Sequence, residues 1–119
     1  MHRGRKISGG KYIKSRKKKL FEIPGQKKTV KLGDDKHKTR RTRGGNLKAF
    51  FLRAKTINVQ INGKSKKMEI KNVLETPQNV FLARQNRLIK GAIIQTSIGK
   101  AKITNRPSQE GCINAILLE

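Results

Sequence analysis

The sequence is poor in acidic residues, in aromatic side chains and in cysteine. Its 119 residues include 7 Asp and Glu against 30 Lys and Arg, a formal net charge of +23. It has no Trp, aromatic residues make up 4% of the chain, and Cys112 is its one cysteine. A single cysteine excludes a disulfide framework and fits a reducing compartment. Cys112 itself is predicted to be a small buried apolar residue.

The few titratable groups show no catalytic or metal-binding pattern. His2, His37 and Cys112 lack the spacing of metal ligands. The adjacent Asp34 and Asp35 are typical of a turn, and the remaining carboxylates are too scattered to predict a two-metal site. We therefore expect no enzyme activity, no catalytic residue, no metal, no cofactor and no small-molecule substrate.

Long apolar runs are also missing. No stretch approaches the ~20 residues that span a membrane, and no apolar signal-peptide core follows the basic N-terminus. We therefore expect a cytoplasmic protein with no membrane partner.

What the sequence has in excess is positive charge, and most of it lies in the first half. Residues 1–55 carry 20 Lys and Arg and 3 acidic residues, net +17, whereas residues 56–119 are net +6. A segment with so much charge and so few apolar groups cannot offset its ordering entropy alone. We expect this half to be disordered when free and to order on a polyanion.

After Lys48 the pattern changes to that of β-structure. Ile57, Val59 and Ile61 alternate with polar residues, which predicts a half-buried strand. Asn62-Gly63 predicts a tight hairpin turn, and a return strand follows over 66–73. A short helix over 77–85, capped by Thr76, and strands over 89–98, 101–106 and 113–118 complete the prediction.

These elements predict a mostly β fold. Five or six short strands with regular turns indicate an antiparallel barrel or sandwich, and we expect a long, irregular, basic N-terminal extension before it. The predicted division is a basic extension over residues 1–46 and a barrel domain over residues 47–119. Phe21, Phe50, Phe51 and Phe81 are predicted to pack, and Tyr12 is the best candidate for stacking on a base.

The basic runs are predicted to bind phosphate, since each neutralised phosphate releases condensed counterions and arginine adds a planar fork. Gly44-Gly45-Asn46 permits two interpretations: a flexible hinge, or a backbone that lies close to RNA because side chains are missing. The predicted RNA-binding residues are Arg3, Arg5, Lys6, Lys11, Lys14, Arg16, Lys17, Lys18, Lys19, Lys36, Lys38, Arg40, Arg41, Arg43, Gly44, Gly45, Asn46, Lys48 and Arg53.

Four stretches of the sequence are similar to a known family: Ser8-Gly9-Gly10 with the basic run after it, Lys19–Ile23, Arg41–Asn46 followed by Lys48 and Arg53, and the C-terminal run 90–119. They resemble the small-subunit ribosomal protein family S-eight-e, which archaea and eukaryotes share. Arg41–Asn46 is the most specific of these stretches. The eukaryotic members carry a long insertion in the second half, and its absence here indicates an archaeal-like member.

The resemblance implies a six-stranded β-barrel and a basic extension on small-subunit ribosomal RNA. We accordingly expect a structural constituent of the small ribosomal subunit that stabilises RNA tertiary packing, with ribosomal RNA and neighbouring ribosomal proteins as partners. The alternative is a free nucleic-acid chaperone or a nucleoid-type DNA-binding protein, which the same basic extension would serve.

Overall fold

The computed structural model describes residues 4–13 and 15–118, and the regular structure in these ranges is almost entirely β. A single 3-10 turn, Leu20–Glu22, precedes the strands. The elements that follow are β1 (Val30–Leu32), β2 (Lys36–Arg41), β3 (Leu47–Ala54), β4 (Thr56–Ile61), β5 (Lys64–Glu75), α1 (Val80–Arg84), β6 (Arg87–Leu88), β7 (Ile93–Thr96), β8 (Lys100–Ile103) and β9 (Asn114–Leu117).

A closed barrel is formed by β4, β5, β7, β8 and β9 in that order. Neighbouring strands are antiparallel except for β4 and β9, whose parallel pairing closes the barrel. The prediction of a mostly β protein built on a small barrel is confirmed. The barrel has five strands, because β6 belongs to a second sheet.

The first barrel hairpin follows the sequence pattern closely. Ile57 and Val59 are buried on β4, and Asn58 between them is exposed. Asn62 and Gly63 have φ of 46° and 79°, so both central residues of the turn adopt the left-handed region that Asn and Gly tolerate best. The predicted strand, turn and return strand are all confirmed.

The second sheet has the strand order β2-β3-β1-β6. Every residue of β2 is exposed, so backbone pairing with β3, and not apolar alternation, makes this segment a strand. The predicted boundary after Asn46 falls in the turn between β2 and β3. The irregular extension predicted from the sequence is therefore confined to the residues before Val30, and among those that the structure describes none is buried.

One apolar cluster runs through both sheets. Side chains from the second sheet extend the barrel core, so the two sheets fold as one unit. The buried members are Val30, Phe51, Ala54, Ile57, Val59, Met68, Ile70, Val73, Leu88, Ala92, Ile94, Ala101, Ile103, Ile113 and Ala115. The buried hydroxyls of Thr76 and Thr96 donate to the carbonyls of Asn79 and Gly99, which satisfies them inside the core.

Two predicted elements differ from the observed ones. The helix starts later than predicted, because Asn79 and not Thr76 caps it: the Asn79 side chain accepts a 3.0 Å hydrogen bond from the Phe81 N–H. The predicted strand over 89–98 is wrong as a single element. A turn at Lys90-Gly91 separates β6 of the second sheet from β7 of the barrel.

Three predictions about single side chains also need correction. Phe50 and Phe51 pack as predicted, each 4% exposed, but Phe21 and Phe81 are 66% and 67% exposed. Both lie on short helical turns that have no buried residue, so neither ring is packed into the core. Cys112 is exposed, because it follows Gly111 in a surface loop before β9 begins.

The Asp35 carboxylate joins the two sheets where the chain passes from β3 to β4. It accepts hydrogen bonds from the Lys55 N–H at 2.6 Å, from the Thr56 N–H at 3.3 Å and from the Thr56 hydroxyl at 2.7 Å. Desolvation alone would raise the pKa of Asp35, but these bonds and the nearby His37 outweigh it and lower the pKa from its ordinary value of 3.8. Asp34 beside it makes none of these contacts.

Replacing Asp35 tests this connection between the two sheets. We expect Asp35→Ala to lower the free energy of unfolding by about 1–2 kcal/mol, since three donors lose a charged acceptor at a partly solvated site. Asp34→Ala removes the same charge and should cost less than about 0.5 kcal/mol. Urea unfolding of both variants measures the difference. Equal losses would show that Asp35 has no special role.

The same carboxylate predicts a pH dependence. Its pKa is lower in the folded than in the unfolded protein, so its contribution is present above the unfolded-state value and is lost as the pH falls through the folded-state value. The stability difference between the wild type and Asp35→Ala should therefore be full at neutral pH and shrink in acid below pH 3.8. A difference that is unchanged in acid would contradict this.

Candidate nucleic-acid interface

The hairpin of β2 and β3 carries cations in opposed positions. Its register places Arg40 opposite Lys48 and Lys36 opposite Arg53. Like charges that face each other across neighbouring strands repel and destabilise the pair. Among the residues described, the ion pairs are Arg16 with Glu22 and Lys55 with Glu69, so neither involves this face. The hairpin thus presents positive charge that no described carboxylate neutralises through an ion pair.

A cleft of about 390 Å³ lies beside this hairpin. Its rim is basic, its floor contains one aromatic ring, and no carboxylate lines it in the described part of the chain. The lining residues are Lys28, Arg40, Arg41, Thr42, Arg43, Lys48, Phe50, Ser108 and Gln109. A concave surface with cations of one sign concentrates anions, because field lines are focused between low-dielectric walls.

Phe50 forms the floor of the cleft, and Lys28 covers it. The Lys28 Nζ lies 3.5 Å from the centroid of the Phe50 ring, a close cation–π contact. Phe50 is 4% exposed although it lies outside the main apolar cluster. Burial lowers the pKa of Lys28 from its ordinary value of 10.5, and repulsion from Arg40 and two neighbouring lysines lowers it further.

The far side of the cleft comes from the loop between β8 and β9. The Lys48 Nζ donates to the Gln109 Oε1 at 2.7 Å, and the Phe51 N–H donates to the Pro107 carbonyl at 3.1 Å. Pro107 is fully buried, which fixes the loop against β3. Lys28, the β2–β3 hairpin and the β8–β9 loop are separate in the sequence, and they meet at the cleft.

Gly44 and Gly45 form the turn that joins β2 to β3. Both have φ of 85°, a left-handed backbone that residues with a Cβ adopt only at a cost. The Thr42 N–H and hydroxyl donate to the Asn46 carbonyl at 2.7 and 2.8 Å, which closes the turn. The two glycines thus have a structural role in the hairpin. The hypothesis that they also let the backbone approach RNA stays a prediction.

Those predicted cations nearer the N-terminus that the structure describes do not line the cleft. Arg5 pairs with Lys11 across a turn, and the Arg5 guanidinium donates to the Gly9 carbonyl at 3.2 Å. Arg16 is held by both carboxylate oxygens of Glu22, which lowers the pKa of Glu22, with the Lys19 N–H as a second cause. The other exposed cations here are Lys6, Lys17, Lys18 and Lys19. The predicted residues Arg3 and Lys14 lie outside the described residues.

The structure thus brings together part of the predicted set. Arg40, Arg41, Arg43 and Lys48 line one cleft, whereas Lys36, Lys38 and Arg53 lie further along the same hairpin. The sequence reasoning missed Lys28, Ser108 and Gln109. Lys28 follows the Pro24-Gly25 turn in a basic stretch, and its charge could have indicated it as a binding residue. Nothing in the local sequence marks Ser108 and Gln109.

The described residues show neither a metal site nor a membrane-spanning helix. They contain no group of three or more His, Cys, Asp or Glu side chains that is placed to hold a metal ion. No helix among them has the length and apolar character needed to cross a membrane.

Comparison with known proteins identifies the family. The chain is 45% identical over 116 residues to the small ribosomal subunit protein eS8 of Methanoregula boonei, covering 96% of this chain and 93% of that protein. The protein of the same name from Pyrobaculum aerophilum is 45% identical, with 97% and 91% covered. That from Methanocorpusculum labreanum is 44% identical, with 97% and 94% covered.

These relatives are ribosomal proteins of archaea. Residues 2–118 match the family described as ribosomal protein S8e. The chain therefore belongs to the ribosomal protein S8e family, and the resemblance seen in its motifs, including the archaeal character, is confirmed. Members of this family are structural components and not enzymes, in agreement with the sequence prediction.

The β2–β3 turn gives a direct test of the hairpin. Gly44→Ala should lower the free energy of unfolding by about 1–2 kcal/mol, because its φ of 85° puts a Cβ against the neighbouring carbonyl. A Cβ at Gly44 meets nothing else within 4 Å, so the cost is one of backbone conformation. Thermal unfolding measures it.

The matched control is Gly25→Ala. Gly25 also has open space around it, but its φ lies outside the left-handed region. This variant should therefore unfold as the wild type does. If Gly44→Ala were equally neutral, the turn would not have the described conformation in solution.

Proposed function

We propose that this protein is a structural constituent of the small ribosomal subunit that binds small-subunit ribosomal RNA through its basic N-terminal extension. The observation that carries the proposal is the surplus of cations in the first half, net +17 over residues 1–55, in a chain of the ribosomal protein S8e family. Relatives that align over nearly their whole length carry the name small ribosomal subunit protein eS8.

The proposed mechanism is electrostatic. Lysine and arginine side chains neutralise phosphates and release condensed counterions, so affinity arises without base recognition. The exposed residues before Val30 have little to pack against, and they order where RNA helices supply phosphates on several sides. In that position they screen the repulsion between neighbouring RNA helices and hold one tertiary arrangement of the RNA.

The two parts of the chain divide this work. In the proposal, residues 1–46 contact RNA, and residues 47–119 supply the barrel, which docks as a rigid body. Within residues 1–46, β1 and β2 are already paired in the second sheet. The further partners are neighbouring ribosomal proteins, and the location is the small subunit in the cytoplasm. No cofactor, membrane or small-molecule substrate has a part in it.

The salt dependence of RNA binding tests the mechanism. We expect the triple variant Lys17→Gln, Lys18→Gln, Lys19→Gln to bind a small-subunit RNA fragment more weakly than the wild type. Its plot of log affinity against log salt should be flatter by roughly 0.7–0.9 for each phosphate contact that is lost. Filter binding over a range of salt concentrations measures both quantities.

The matched control is Lys64→Gln, Lys66→Gln, Lys67→Gln, which removes the same charge from exposed positions at the barrel hairpin. It should keep a steeper slope than the extension variant. Equal slopes for both variants would contradict a special role of the extension. A wild-type affinity that does not depend on salt concentration would overturn the phosphate mechanism.

Sedimentation separates the proposal from its rival. A ribosomal constituent should travel with small subunits and leave them only in high salt. A free nucleic-acid chaperone or nucleoid-type protein would be found off the ribosome and would bind duplex DNA equally well. Recovery of the protein with DNA and not with subunits would therefore favour the rival.

A further inference from the structure

We propose that the cleft between Lys28, the β2–β3 hairpin and the β8–β9 loop is a site for one phosphate group of the RNA backbone. The site ties the end of the N-terminal extension to the folded body. That the phosphate belongs to RNA rests on the proposed function. That the cleft prefers a phosphate-like anion rests on its own geometry.

Like charges are crowded at the cleft. Arg40 and Lys48 face each other across the strand pair, and Lys28 approaches from a segment that precedes both. Repulsion from Arg40 acts on the Lys28 ammonium, which the cleft also partly desolvates. Such an arrangement costs stability in the free protein, and an anion with several acceptor oxygens relieves it.

The accessible groups of the cleft match a phosphate better than a base. The ring of Phe50 is 4% exposed and already covered by the Lys28 ammonium at 3.5 Å, so a base cannot stack there unless Lys28 leaves. The groups that remain accessible are cations, with the polar side chains of Ser108 and Gln109 at the edge. Guanidinium forks, ammonium groups and a hydroxyl donor match phosphate oxygens better than the edge of a base.

The cleft connects the end of the extension to two distant segments of the folded body. Lys28 stands two residues before β1, where the extension enters the second sheet. Lys48 is on β3, and its partner Gln109 lies 61 residues further along the chain. A phosphate held among these groups fixes the direction in which the extension leaves the body, because Lys28 and the hairpin then share one ligand.

Lys28→Gln tests the site, with Lys102→Gln as its control. Lys102 is exposed on barrel strand β8, so both variants lose one charge and only the first changes the cleft. In the first experiment the melting temperature of the full chain is measured in sodium phosphate and in sodium chloride of equal ionic strength. Phosphate should raise it specifically for the wild type and for Lys102→Gln, and Lys28→Gln should lose this increment.

The second experiment measures affinity for a small-subunit RNA fragment. Lys28→Gln should bind about tenfold more weakly, as expected for a lost hydrogen bond to a charged group, and Lys102→Gln should change affinity by less than about threefold. Lys28→Arg keeps the charge and should restore most of the phosphate response. It also shows that any loss in Lys28→Gln comes from the charge and not from misfolding.

The outcomes separate the site from the proposed function. If the wild type binds RNA but Lys28→Gln and Lys102→Gln behave alike in both experiments, the site is overturned and the function stands. If Lys28→Gln loses only the response to inorganic phosphate and keeps its RNA affinity, the cleft binds free phosphate and the RNA assignment is overturned. If the wild type binds no RNA, the proposed function fails first, and the assignment of an RNA phosphate fails with it.

Discussion

Repulsion among its own cations is the constraint under which this protein folds. With 30 Lys and Arg and 7 acidic residues, the chain cannot neutralise itself, and the described residues form two ion pairs. Stability must therefore come from apolar burial, and in the part of the chain that the structure describes no charged side chain is buried. Two sheets share one apolar cluster, and the charge is left on the surfaces and in the extension, where water screens it.

The parts of the fold that the sequence predicts are those in which burial or backbone conformation leaves a local mark. Ile57 and Val59 alternate with exposed residues because β4 has one face in the core, and Asn62-Gly63 marks its turn through positive φ. Strand β2 leaves no such mark, since all its side chains are exposed and only its backbone is paired. The sequence did not predict the turn at Gly91, because apolar residues continue on both sides of it.

At the candidate site, too, the sequence predicts the residues of a local motif but not those that the fold brings in from distant segments. Arg40, Arg41, Arg43 and Lys48 were predicted from their charge and from one short motif, and the hairpin explains why they converge. Lys28, Ser108 and Gln109 join them only because β1 pairs with β3 and a buried proline holds the C-terminal loop against β3. Charge alone also does not show that the Arg16 guanidinium is already hydrogen-bonded to the nearby carboxylate of Glu22.

Strand β2 lies at the outer edge of the second sheet, and among the described residues one side of its backbone has no strand partner. Such an edge invites a strand from another molecule to add to it, which is how many β proteins aggregate. Here the sequence of the strand is Lys-His-Lys-Thr-Arg-Arg, so a second copy would bring its own cations against these. The charges on this edge therefore disfavour pairing between two copies of the protein.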